Sequence, residues 1–331
     1  MNITERILAE GIKEYTLKND VGMSVSVINI GAAITGIHVP DKKGEIDNVV
    51  VAYKDIEDYI ENPDYLGAVI GPLAGRVTDA KLKIRDEVYQ FRGNEGQTML
   101  HSGEYGVHND SWIIDDGVIG RICSIKMSCR VDGYPGHPLM SIIYTLDNEN
   151  RLSIDYKITV DSATIISPTN HTYFNLSGND GTGAHIVNFG SKSFHPLNEQ
   201  LLPLEKKQAE GIFDLSSPTT LQNIYNDDHL QIKIASSGFD HYFYLENKRA
   251  VLTEPISGRR MTMTTTFPGM IFYTGNAMES KQCNKNINGK HAGVCFEAQE
   301  PPILDGLKIS PERTLDKRKY ERKTTFEFSL I

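Results

Sequence analysis

The sequence predicts an all-β protein, a large antiparallel β-sandwich with few short helices. Three observations carry that prediction. Apolar and polar residues alternate with a period of two over much of the chain, as they do where one strand face meets a core. Helical spacing is scarce, and no regular alternation of strand and helix patterns suggests a parallel sheet. Many short strand-like runs are separated by turn residues at close spacing.

The elements follow in order. Met23, Val25 and Val27 begin a strand-like stretch that continues through Ile28 and Ile30 and breaks at Gly31. Asp55-Ile-Glu-Asp-Tyr59 reads as the start of a short helix, with Asp55 as its cap and Pro63 preventing extension. In Arg121–Asp132, Cys123, Ile125, Met127 and Cys129 form an apolar face against Ile122, Ser124, Lys126 and Ser128. Two β-branched and aromatic runs then flank Asp147-Asn148-Glu149-Asn150. Asn and Asp tolerate turn dihedrals, so a hairpin is expected there. Further strand-like runs are HLQIKIA, HYFYLE, RMTMTTTF, MIFYTGN, AGVCFEAQ and TTFEFSLI. No Gly/Ser-rich linker, composition break or fixed repeat divides the 331 residues. A single domain over residues 1–331 is the expectation.

Composition narrows the class. The chain is 39% hydrophobic and carries 34 basic against 43 acidic side chains, a formal charge of −9. An acidic protein lacks the electrostatic footprint that favours nucleic acid. The densest basic patch, Lys317, Arg318, Lys319, Arg322 and Lys323, reads as a solvated strand edge or loop. No run of roughly 18 apolar residues offers a membrane span. The N-terminal MNITERILAEGIKEYTL has no apolar signal-peptide region. The four cysteines, Cys123, Cys129, Cys283 and Cys295, make no C-x-x-C pair or zinc spacing. A cytoplasmic protein with reduced thiols is expected, and the sequons at Asn170 and Asn175 are then chance matches.

Elimination shapes the chemistry. Gly178–Gly183 is glycine-rich but lacks the phosphate-binding Lys, and no helical pattern follows it. His101 and His108 have no partners at a metal-ligand spacing, and no nucleophile elbow occurs. Three polar clusters remain in strand-like settings. They are Gly71-Pro-Leu-Ala-Gly-Arg76 with the later Asn94 and Met99-Leu-His101-Ser-Gly103; Ser167–Gly178 around His171; and Gly293-Val-Cys-Phe-Glu297-Ala-Gln299. Alternation puts Glu297 on one face with Cys295 and Gln299. Asp240 stands at the mouth of another strand. Each has a bland alternative: a glycine turn, a hydrogen-bonded structural histidine, an exposed rim carboxylate or a turn aspartate. An imidazole and a carboxylate together can move one proton in and another out. With no metal or cofactor motif, the residues point to proton transfer on a polar substrate.

At these clusters the chain resembles the aldose 1-epimerases. The likeness runs through GAVIGPLAGRV, MLHSGEYGVHNDSW, NHTYFNLSG, FDHYFYL, FYTGN and GVCFEAQ, in family order. It implies a β-sandwich with an open cleft and an isomerase that interconverts the α and β anomers of free aldoses such as galactose and glucose. It implies no cofactor and no metal. His171 matches the family's general acid and Glu297 its general base. Arg76 and His101 match groups that bind the sugar near its ring oxygen, Asp240 a carboxylate that accepts from sugar hydroxyls, and Asn94 a less distinctive sugar contact. Three departures bear on sugar preference. Gly71–Arg76 lacks the family's first Arg and its Asn, Ser102 replaces a Gly, and Ile271 stands where many members carry Gln. The alternatives are a sugar-binding protein without turnover and an epimerase of a disaccharide or sugar phosphate. The expected partner is a small-molecule sugar, with neither nucleic acid nor membrane, and the protein a monomer or homodimer.

Overall fold

The computed structural model describes residues 1–331 except 121, 179–180, 279–281, 286–288 and 317–318. Lys317 and Arg318 of the basic patch, and two positions of the glycine-rich 178–183 segment, therefore lie outside the described residues. Strands dominate, in three larger sheets. The first has five strands, Asn2–Ala9, Ile12–Lys18, Ser24–Ile28, Ile34–Pro40 and Ile46–Asn48, paired in chain order. The second has nine strands. It runs from Ile113–Ile119 through Cys123–Arg130, Leu139–Leu146, Arg151–Thr159, Tyr320–Leu330, Arg259–Thr265, Arg249–Glu254 and Ile186–Asn188 to Thr219–Thr220. The third has six, in the order Tyr173–Phe174, Val294–Gln299, Gly269–Tyr273, Asp240–Tyr244, Ser193–His195 and Lys207–Gln208. All pairings within these sheets are antiparallel.

One apolar cluster draws on all three sheets, with Val25 and Ile37 from the first, Ile142 and Phe326 from the second, and Phe243 and Phe296 from the third. Phe174 and Phe326 touch across it, their ring centroids 5.0 Å apart. This layered packing is the sandwich that the period-two pattern predicts. The hairpin also forms as expected. Leu139–Leu146 pairs with Arg151–Thr159, and Asp147 Oδ1 accepts the N–H groups of Glu149 and Arg151 at 3.0 Å. Asp55 caps a 3₁₀ turn over Ile56–Ile60 by accepting the Glu57 N–H. Cys123, Cys129 and Cys295 are free thiols, and no helix among the described residues is long and apolar enough to cross a membrane.

Three expectations need correction. HLQIKIA is not a strand: Leu230–Ile234 is an α-helix, with His229 Nδ1 accepting the Gln231 N–H at its start. The alternating Leu-Gln-Ile-Lys-Ile segment is too short to separate a strand period from a helical one, and the His229 bond caps the turn that forms. In Cys123–Arg130 the alternation slips at its end, where Ser128 is buried and Cys129 is not. Ser128 is satisfied there by donating to Asp115 Oδ1 at 2.9 Å. The strand that carries Arg322 and Lys323 is interior to its sheet rather than an edge. Their charges are matched by Glu300 at 2.6 Å and Asp155 at 3.3 Å.

Candidate active site

The strand Val294–Gln299 is buried at every position. Val294, Phe296 and Ala298 face the core; the intervening side chains Cys295, Glu297 and Gln299 turn to the other face, as period-two geometry requires. On that side lies an open cavity of about 240 Å³, lined by Glu297 and Gln299. The adjoining strands supply the neighbouring wall, Ile271 opposite Glu297 and Asp240 opposite Tyr273.

His171 reaches this wall from a turn. Thr169–Asn170 pairs with Val69–Ile70, and the His171 N–H bonds Ala68 O at 2.9 Å. Asn170 fixes the bend: its Nδ2 donates to Gly67 O at 2.9 Å, while its Oδ1 accepts from the hydroxyl and N–H of Thr172. Beyond the turn Tyr173 pairs with Cys295, which locks the His171 segment to the strand bearing Glu297. Nε2 of His171 lies 3.4 Å from Glu297 Oε1, and Nδ1 lies 3.6 Å from the Cys295 sulfur. Tyr173, Tyr65, His101 and Tyr273 surround the imidazole, with centroids 5.0 to 6.1 Å away.

A second wall is built from loops. Arg76–Val77 pairs with Met99–Leu100, and His101 and Gly75 exchange backbone and side-chain bonds. The His101 N–H donates to Gly75 O at 3.1 Å, and its Nδ1 accepts the Gly75 N–H at 3.2 Å. Since Nδ1 accepts, a neutral His101 carries its proton on Nε2, free to donate into the cavity it lines. Tyr65, His101 and Ser102 hold φ of 57°, 52° and 70°. Such left-handed backbone at non-glycine residues is strained. Bonds hold it in place at Ser102, whose buried hydroxyl accepts the Leu73 N–H at 2.8 Å and donates to Leu73 O at 3.0 Å.

Electrostatics follow from burial. Burial draws His171 down to about 3 and leaves it neutral. Burial and then the charge of Asp240 push Glu297 well above the usual carboxylate range, with Arg76 opposing. The pair therefore favours one shared proton and no net charge. Burial lowers His101 as well, so it too stays neutral. Burial raises Asp240 against the pull of Arg76, which donates to it at 3.2 Å.

His171, Glu297, Arg76, His101 and Asp240 thus line one cavity. Asn94 does not line it. Its amide clips the backbone of Leu100, donating to the carbonyl at 3.1 Å and accepting the N–H at 2.7 Å. The neighbouring Glu95 lines the cavity instead and pairs with Arg76; nothing in the sequence pattern distinguishes it from its exposed neighbours. Gln299 is the second residue not singled out for a role. It is 2% exposed and its Oε1 is a buried acceptor with no protein partner. Its signal was its place two residues beyond Glu297.

One group of potential metal ligands stands out among the described residues, the donor atoms of His171, Cys295 and Glu297, all within 4.8 Å of one another. Cys295 and Glu297, however, approach different ring nitrogens of His171. The Glu297 contact sets a carboxyl group beside an imidazole nitrogen, the pairing that proton transfer requires.

A family model for aldose 1-epimerase matches residues 13–325. The chain belongs to the aldose 1-epimerase family. It is 31% identical to the galactose mutarotase of Homo sapiens, over 96% of this chain and 94% of that one. The aldose 1-epimerase of Streptococcus thermophilus is 28% identical over 92% and 91%. The crystal structure of a galactose 1-epimerase from Lactobacillus acidophilus superposes with a TM-score of 0.88 at 28% identity, covering 99% of this chain and 98% of that one. The matched residues 13–325 include every residue that lines the cavity.

Proposed function

We propose that the protein interconverts the α and β anomers of free aldoses, galactose and glucose among them, by general acid and base catalysis. The observation that carries this reading is the 3.4 Å approach of His171 Nε2 to Glu297 Oε1 on the wall of a cavity that also holds Arg76, His101 and Asp240. Glu297 takes the proton of the anomeric hydroxyl while His171 protonates the ring oxygen. The C1–O5 bond breaks, and the open sugar is a neutral aldehyde. Rotation about C1–C2 presents the other carbonyl face. The two residues then reverse roles, and reclosure gives the opposite anomer.

The working pair, imidazolium and carboxylate, differs from the resting pair only by the position of one proton. Both forms carry the same net charge, so no proton need be exchanged with solvent to reach it. Arg76 and His101 Nε2–H meet negative charge growing on the ring oxygen. Asp240 accepts from sugar hydroxyls, and Ile271 gives the floor an apolar patch where a glutamine would offer a hydrogen bond. No step calls on a metal or cofactor.

We further infer that residues 1–331 fold as one domain, because one apolar cluster spans from Tyr15 to Phe328. Polarimetry on freshly dissolved α-galactose and α-glucose tests the activity. Each rotation change should be strongly accelerated over the spontaneous rate, and absence of acceleration for both sugars would refute the assignment.

A further inference from the structure

Arg76 is the only Arg or Lys among the described residues that line the cavity, which also carries the carboxyl groups of Asp64, Glu95, Asp240 and Glu297. Its guanidinium is already committed. Nε donates to Glu95 Oε2 at 2.6 Å and Nη2 to Glu95 Oε1 at 3.0 Å, a bidentate pair along one edge. Nη1 donates to Asp240 Oδ2 at 3.2 Å. Three of the five N–H donors are thus engaged, leaving two for uncharged sugar oxygens. A carboxylate or phosphate binds best to a full guanidinium edge; here the Nε/Nη2 edge is occupied by Glu95, and Nη1 of the remaining edge is shared with Asp240.

Glu95 is held where it can do this. Its loop closes through exchanged backbone bonds between Glu95 and Thr98 at 3.1 Å, and the Asn94 amide fixes the loop to Leu100. We propose that Glu95 is a specificity determinant: by occupying the free edge of Arg76 and adding a negative charge at the rim, it restricts the cavity to uncharged sugars and turns away anionic ones such as uronates and sugar phosphates. This inference rests on the reading that the cavity receives the sugar.

The test compares anomeric exchange of glucose and glucuronate by NMR magnetisation transfer in the wild type, Glu95→Gln and Glu95→Ala. Glu57→Gln, on the surface away from the cavity, controls for net charge. The wild type should favour glucose over glucuronate in kcat/KM by about tenfold or more, the size expected for one unmatched charge at this range. Both Glu95 variants should raise the glucuronate-to-glucose ratio by about tenfold, for the same electrostatic reason, while Glu57→Gln leaves it where it was. An unchanged ratio in active Glu95 variants, or a wild type indifferent to the two sugars, overturns the role of Glu95 alone. A wild type that accelerates neither sugar overturns the catalytic reading and this inference with it.

Discussion

The two walls of the cavity are made differently. One is a strand wall, where Glu297, Gln299 and Asp240 project from long antiparallel ladders whose reverse faces carry Phe243, Phe272 and Phe296 into the core. The other is a loop wall, where Arg76, Glu95 and His101 stand on short bridges and left-handed residues held by a few specific bonds. The strand wall derives its chemistry from desolvation: burial that stabilises the sandwich also keeps Glu297 protonated and His171 neutral. The loop wall derives its chemistry from aim, since the bonds to Gly75 and Leu73 decide where the His101 and Arg76 donors point. Loss of the proton pair should therefore strike turnover, and changes that loosen the loop wall without removing Arg76 or His101 should strike binding and local stability, whereas the Arg76 and His101 side chains themselves serve both.

The largest effects are expected at the proton pair. Glu297→Gln and His171→Asn each remove a proton-transfer group while keeping a polar side chain of similar shape. Each should lower kcat by about 10²–10⁴-fold, with little loss of fold. Polarimetry gives the rate and thermal melts monitored by circular dichroism give the fold; near-wild-type kcat in either variant would remove that residue from its role.

The pH profile probes the same wall without mutation. The competent pair holds one proton, and burial draws His171 to about 3, so a second proton should enter only near that pH. On the acid side activity should fall only as pH drops toward about 3, and because the Glu297 carboxyl is raised, loss of its proton sets the alkaline limb. An acid limb centred near the ordinary imidazole value of about 6.5 would mean that burial does not control the pair.

The contrast between the walls also explains what could be read from the sequence. Period-two patterning marks strands directly, so the sandwich, the hairpin at Asp147–Asn150 and the shared face of Cys295, Glu297 and Gln299 were all legible. His171 and Arg76 stood out only as members of polar clusters, and their roles came from the family resemblance, because turns carry no period. Asn94, carried over from the resemblance, shows the limit: it does not line the cavity while its neighbour Glu95 does, and adjacent loop residues differ in role only through which of them the backbone turns toward the cavity. The helix at Leu230–Ile234 was hidden for a related reason, since five residues are too few to separate a period of two from one of 3.6.

Ser102 sharpens the comparison next. It is fully buried, and its hydroxyl meets both polar groups of Leu73. Ser102→Ala leaves those groups short of a partner, and should cost about 1–3 kcal/mol in denaturant melts. Ser102→Gly loses the same bonds but relieves the backbone strain at φ 70°, since glycine adopts that conformation freely. The glycine variant should therefore be the more stable of the two. Both should raise KM more than they lower kcat, because the loop wall loosens while the proton pair stays in place. Equal stability of the two variants would show that the strain at this position is not felt.

The smallest effect is expected at Asn94. Its two bonds to Leu100 are exposed, so water replaces much of what Asn94→Ala removes, and the loss should be about 1 kcal/mol or less. Leu100 precedes His101, however, and slackening its backbone lets the imidazole wander from the cavity. KM should rise a few-fold with kcat almost unchanged. A large fall in kcat would instead mean that Asn94 meets the sugar as it reacts, and that the loop 93–98 turns inward once the cavity is filled. The distinction between a loop that only holds its neighbours and one that joins the chemistry thus rests on how the Asn94→Ala loss divides between KM and kcat.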